Sequence, residues 1–197
     1  MKYRNLTRRA AGLAVLFAAV AGGSAQAATL VKTSACSQPS YTFSQPFSSF
    51  HDTNWYTLAP GQSVNSFDGA GWTLSGGAKL VATTLADGST GTVLDLPAGS
   101  TAVSPPMCVS AQYPDARAEL REFGNGASLH ASVAYTGGKS GGQSSGALNG
   151  SSTWSVSRSV QLHAASLYGW QEAEYRFVAD KGEAQLYNFY VDPHCFR

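Results

Sequence analysis

"ASLHASVAY" (127–135) decides the fold. Leu129, Ala131, Val133 and Tyr135 fall on one parity, and Ser128, His130 and Ser132 on the other. Successive side chains on a strand point to opposite faces, so this pattern is a strand with one apolar and one polar face. Outward from it the same grammar recurs. In 116–121, Ala116, Ala118 and Leu120 oppose Arg117, Glu119 and Arg121; in 172–178, Tyr175 and Phe177 oppose Glu172, Glu174 and Arg176. Shorter β-rich runs are "GWTLSG" (71–76), "KLVATTL" (79–85), "TVLDLP" (92–97), "SVQLHA" (159–164) and "AQLYNFYV" (184–191). The separators "ADGSTG", "PAGS", "FGNGA" and "DKGE" are turn-rich, and no window sustains an i, i+3, i+4, i+7 apolar pattern for three turns. Short strands at close spacing predict an all-β sandwich or barrel, with sheets packed on one side and wet on the other.

The first 27 residues carry a basic start (Lys2, Arg4, Arg8, Arg9), an apolar stretch too short to span a bilayer, and the small-x-small end "AQA". This is the pattern of a cleaved signal peptide for the Sec route, and it predicts an extracellular protein beginning near Ala28. Residues 28–197 have the size of one domain. No later apolar run reaches membrane-spanning length. All four ionisable residues of the signal are basic, so the formal net charge of +1 turns negative without it. Such a surface lacks the clustered basic groups that a nucleic-acid binder needs. The stretch 136–152, "TGGKSGGQSSGALNGSS", is so poor in apolar residues that it reads as a flexible surface loop.

The chemistry-bearing residues are few. In an exported chain Cys36, Cys108 and Cys195 predict one disulfide and one leftover thiol; loop-closure entropy does not separate the three pairings. Cys108, behind Pro105 and Pro106, has no His close in sequence to activate it as a nucleophile, and His194 beside Cys195 does not supply a four-ligand zinc site. "GQSSG" (142–146) spells G-x-S-x-G, but in a Gly/Ser-rich stretch without the strand and helix that build a nucleophile elbow. The acidic neighbours Glu119 with Glu122 and Glu172 with Glu174 suit glycoside hydrolysis poorly. The first pair alternates onto opposite faces, and the second shares its face with Arg176.

A carbohydrate-binding face fits better, since a sugar site combines an aromatic platform with sparse polar fixers. Arg117, Glu119, Arg121, His130, Glu174 and Arg176 are expected on one polar sheet face, with Trp154 and Trp170, and with them Trp55, Tyr56 and Tyr168, as ring candidates. No cofactor is expected beyond a structural calcium ion, for which Asp52, Asp68 and Asp192 are the available carboxylates.

Several segments together carry a resemblance: "ACSQ" (35–38), "QPFSSFHDTNWYTLAPGQS" (45–63), "GWTLSGGAK" (71–79), "LDLPAGSTAVSPPMCV" (94–109), "YPDAR" (113–117) and "YVDP" (190–193). In content and order they resemble a family of small secreted single-domain proteins found mainly in actinobacteria. The resemblance implies a two-sheet antiparallel β-sandwich of jelly-roll type, similar to carbohydrate-binding and galactose-binding-like modules. It also implies a Cys36–Cys108 disulfide, leaving Cys195 free or available to link a dimer. Where the family has two adjacent acidic residues in its last strand, this chain has Tyr187 and Asn188. The expected function is a secreted, non-catalytic module for polysaccharide or cell-wall glycan. A secreted hydrolase with a divergent active site and a structural envelope protein are the alternatives.

Overall fold

The computed structural model describes residues 40–110, 115–136, 143–162 and 170–193. The expected signal segment 1–27, Cys36, Tyr168 and Cys195 lie outside them. Two long strands organise the rest. β7 (Asp115–Thr136) and β11 (Trp170–Asp192) pair antiparallel along most of their length. The turn-rich separators "FGNGA" and "DKGE" predict a break in each; both are instead bends inside a continuous strand. Gly124, Gly126 and Gly182 take the left-handed φ values 93°, 69° and 66° there, and the ladder shifts register around Lys181. A Cβ on Gly182 would meet the Phe123 carbonyl oxygen at 2.5 Å, so only glycine lets the two strands fold over together.

The consequence is a sandwich made by doubling one ribbon. Phe177 and Phe189 are twelve residues apart on β11, which in a straight strand is about 40 Å. Their ring centroids are 4.8 Å apart, and Tyr175 lies 5.2 Å from Phe189. In the first layer β11 from Trp170 to Val178 is flanked by β5 (Thr101–Val103) and β6 (Met107–Ser110) on one side. On its other side runs β7 from Ser128 onward, then β8 (Gln143–Leu148); β2 (Thr73–Ser75) lies beyond β5. In the second layer β11 from Glu183 pairs with β4 (Thr90–Pro97) and β1 (Thr57–Leu58), and β3 (Lys79–Thr84) lies beyond β4. The first half of β7 lies on the other side, edged by β9 (Ser155–Val156) and β10 (Val160–Gln161). The fold is the antiparallel β-sandwich of jelly-roll type expected.

The predicted inward residues form the core. Leu129, Ala131 and Val133 from one half of β7 meet Ala116, Ala118 and Leu120 from the other, with Tyr175, Phe177, Leu186 and Phe189 between them. Trp72 stacks on Phe177 at 5.8 Å and 10°. The reading of 136–152 as a flexible loop is corrected at 143–148: Gln143–Leu148 is strand β8, paired with β7 from Leu129 to Ala134. Backbone hydrogen bonds need no apolar side chains. Glycine also has a use here, since a Cβ on Gly146 would meet Val160 Cγ1 at 2.4 Å.

Candidate functional site

The outer face of the second layer departs from simple alternation. Leu186, Phe189 and Val191 all belong to the main core, so one extra residue must be accommodated between the first two. The register shift between Tyr187 and Tyr190 is that bulge, with Asn188 in the left-handed region at φ 49°. Asn tolerates this conformation better than a β-branched residue would. The bulge turns Tyr187 and Asn188 together onto the outer face, and Tyr190 follows.

They line a cleft of about 270 Å³. A ladder of polar groups crosses it. Asn188 Nδ2 donates to Glu119 Oε2 at 2.6 Å and to Asn65 Oδ1 at 3.0 Å, while the Asn65 backbone N–H donates to Asn188 Oδ1 at 2.8 Å. Asn65 Nδ2 donates to Asp87 Oδ2 at 3.2 Å. The Ser89 hydroxyl and backbone N–H both donate to Asp87 Oδ1 and hold its carboxyl below the usual range. Burial first, and then the Glu119 charge, push the Tyr187 phenol up to about 12 and also raise Tyr190. Both phenols therefore stay protonated near neutral pH.

Close approach of backbone builds the wall that carries Asn65. A Cβ on Gly91 of β4 would meet the Asn65 carbonyl oxygen at 2.3 Å and Leu85 Cδ1 at 2.5 Å. Gly91→Ala must push the 63–66 turn outward, with an expected loss of about 1–3 kcal/mol of stability in urea unfolding. A variant as stable as the parent would show that this contact does not hold the wall.

Aromatic groups close the ends. Phe50, 57% exposed, projects from a one-turn 3-10 segment (Ser48–Phe50) that His51 ends in the left-handed region. Beneath it Phe47 packs edge-on against Tyr56 at 5.2 Å and Tyr190 at 5.4 Å. At the other end Trp154 packs edge-on against Tyr187 at 4.8 Å, and its indole N–H donates to the Thr84 carbonyl at 2.8 Å. Arg121 sits 4.4 Å from the Trp154 ring and 5.0 Å from that of Phe123, and donates to Gln185 Oε1 and Thr83 Oγ1.

Gln185 in turn donates to the buried Asp95, beside Lys79 and Glu183. Burial, and then Asp95, raise the Glu183 carboxyl above its ordinary range. The folded state thus holds this proton more tightly than the unfolded chain. The contribution is full below the unfolded value and is lost as pH rises through the folded one. Glu183→Gln should flatten that part of the decline, read as a smaller difference in urea midpoint between acid and neutral pH. An unchanged pH profile would contradict it.

The predicted site residues divide between two faces. Glu119 lines the cleft, and Arg121 and Trp154 flank it. Arg117 is on the same face, pairing its Nε with Asp52 Oδ2 at 3.2 Å over the Phe47 ring. His130, Glu174 and Arg176 lie instead on the outer face of the first layer, where His130 pairs with Asp180 at 2.7 Å. Trp170 begins β11 in that layer, opposite Ser110. The expectation of a single polar face is therefore corrected: the doubled ribbon turns its two halves to opposite sides. Trp55 is exposed, whereas Tyr56 is buried and donates to Asp52. Asp68 accepts from Ser63 and Ser66, and Asp192 is buried opposite Asp115. Among the described residues no group of three or more His, Cys, Asp or Glu is placed to hold a metal ion. Sequence reasoning did not assign Phe50, Asn65, Asp87 or Tyr190 to a site; the one available signal was the failed alternation in "AQLYNFYV".

Solved structures similar to this fold are mostly carbohydrate-binding modules. One is a carbohydrate-binding module of Cellvibrio mixtus lichenase 5A in complex with cellotriose, at 15% identity over 71% of this chain and 96% of that one, with a TM-score of 0.45. Another is the CBM22-1 xylan-binding domain of Paenibacillus barcinonensis Xyn10C, at 15% identity over 62% and 85%, with a TM-score of 0.40. TmCBM61 in complex with β-1,4-galactotriose matches at 13% identity over 62% and 88%, with a TM-score of 0.42. The chain spans only 27% of a matched Clostridium thermocellum xylanase 10B structure and 19% of a bacteriophage CBA120 tailspike protein. At such scores the likeness transfers no residue role. No protein-family model matches the chain, and no curated protein matches it by sequence. Among the described residues no helix is long and apolar enough to cross a membrane.

Proposed function

We propose that the protein is a secreted, non-catalytic module that holds a polysaccharide or cell-surface glycan in the cleft over Tyr187 and Asn188. The carrying observation is the ladder Glu119–Asn188–Asn65–Asp87, fixed by its own hydrogen bonds between aromatic walls. A pyranose presents hydroxyls at its rim and C–H groups on its faces, which suits fixed acceptors and amides beside rings. Fixed groups lose little freedom on binding, so their hydrogen bonds are not spent on ordering the site.

Binding is favoured over hydrolysis by the state of the carboxyls. A glycosidase needs one carboxyl raised so that it can act as an acid. At the cleft Ser89 holds Asp87 low, and Glu183, whose carboxyl is raised, does not line it.

Affinity electrophoresis in gels containing xylan, mixed-linkage β-glucan, galactan or bacterial cell-wall glycan tests the reading. Retardation by at least one is expected, with Glu119→Ala weakening it by about tenfold or more, as for loss of a charged hydrogen-bond partner. Absence of retardation by every glycan overturns the reading, and release of reducing ends would restore the hydrolase.

Export would place the cysteines in an oxidising compartment, and Cys36 is the proposed partner of Cys108. Tyr41 Oη both donates to the Cys108 carbonyl and accepts from its N–H at 2.8 Å, which ties Tyr41, five positions after Cys36 in the sequence, to β6. The Cys108 sulfur is itself engaged. The Ser110 N–H also donates to the Pro193 carbonyl, so non-reducing peptide mapping must separate Cys36 from Cys195.

A further inference from the structure

The geometry points to a site longer than the cleft: we propose that it binds an internal stretch of a linear polysaccharide, laid along β7 from the Tyr187 cleft to a second cavity at the ribbon bend. This rests on the carbohydrate-binding reading and extends it. The second cavity, about 480 Å³ and more open, is lined by Phe123, Gly124, Asn125, Gly126 and Ser152 among others.

Three side-chain contacts link residues of the two cavities. Tyr187, on the first cavity, meets Trp154 at 4.8 Å; Trp154 carries the Arg121 guanidinium at 4.4 Å; and Arg121 lies 5.0 Å from Phe123, which lines the second cavity. Arg121 is held from below by Gln185 and Thr83, and Trp154 by the Thr84 carbonyl, so the stripe is fixed before any ligand arrives. Glu119 and Phe123 are four residues apart on one strand, about 13 Å, which is the length of two to three pyranose units. A ligand recognised only by its chain end would need one closed pocket. Two open cavities joined by a ring–cation–ring stripe suit a chain passing through.

The probes are β-1,4-linked cello-, xylo- and galacto-oligosaccharides from disaccharide to hexasaccharide, titrated calorimetrically against the full chain. Affinity in the bound series should rise by about tenfold or more from trisaccharide to hexasaccharide. Phe123→Ala should remove most of that gain, about tenfold for one aromatic contact, and leave the trisaccharide within about twofold. Ser152→Trp, at an exposed position that fills the second cavity, should do the same and covers the case in which Phe123→Ala is poorly folded. Equal affinity for trisaccharide and hexasaccharide, or a Ser152→Trp protein that keeps the full gain, overturns the extension and leaves the first cleft standing. Failure of every oligosaccharide to bind overturns the extension, while retardation in the glycan gels decides separately whether the reading beneath it stands.

Discussion

Asn188→Asp is expected to lower the unfolding free energy by about 3 kcal/mol at neutral pH and to recover much of it in acid. Asn188 is buried, and its amide is the donor that lets the Glu119 carboxylate sit at 2.6 Å. The substitution keeps the shape and tolerates the left-handed backbone, so it isolates the electrostatics. It removes both N–H bonds and sets a second carboxylate against the first. Two such charges in contact cannot both ionise at their ordinary values, so the folded state raises the pair and takes up a proton. The sign follows: the variant is closest to the parent below the unfolded carboxylate range and falls behind it as pH rises through the raised folded values. Urea unfolding of both proteins at acid and neutral pH reads this directly. A pH-independent difference, or none, would mean that Asn188 does not hold Glu119. Glycan retardation should weaken with stability, because the same amide positions Asn65.

Phe177→Ala carries a comparable or larger cost, about 3–5 kcal/mol for a buried aromatic deletion. The side chain is fully buried where the two layers meet, stacked on Trp72 and edge-on to Phe189. Little can collapse into the gap, because Trp72 is itself pinned: its indole N–H donates to the Pro60 carbonyl at 2.7 Å. A double-mutant cycle with Phe189→Ala should return a coupling of about 0.5–1.5 kcal/mol beyond the area lost. Strict additivity would mean that the two halves of β11 do not stabilise one another through these rings. Phe189 follows Asn188 directly, and its backbone N–H donates to Gln62 Oε1 at 2.9 Å. Loosening the core here therefore reaches the bulge that shapes the cleft.

The alternation in 116–121, 127–135 and 172–178 made the strands and their inward sides legible. What parity cannot say is which outer side a residue occupies once its strand is bent double. Glu119 and His130 stand on the same strand, eleven residues apart, and end on opposite sides of the sandwich. The bends themselves looked like turns because glycine serves both, and only the continued pairing of β7 with β11 distinguishes them. β8 was hidden because Gln, Ser and Gly carry no burial signal, although Leu148 at its end is fully buried. Glu119, Arg121 and Trp154 were readable as candidates. Phe50, Asn65 and Asp87 come from three separate turns whose meeting is tertiary, and no local pattern announces it. Tyr187 and Asn188 were visible only as a break in the alternation of 184–191, and their placement depends on the bulge.

The proposed glycan site lies on the outer face of the second layer. Amide chemical-shift mapping of the ¹⁵N-labelled protein during titration with a retarding oligosaccharide tests it most directly. Saturable shifts are expected at Asn65, Asp87, Glu119 and 187–190, with His130, Glu174 and Arg176 unmoved. Shifts confined to that opposite face, or no saturable shift at the cleft, would contradict it.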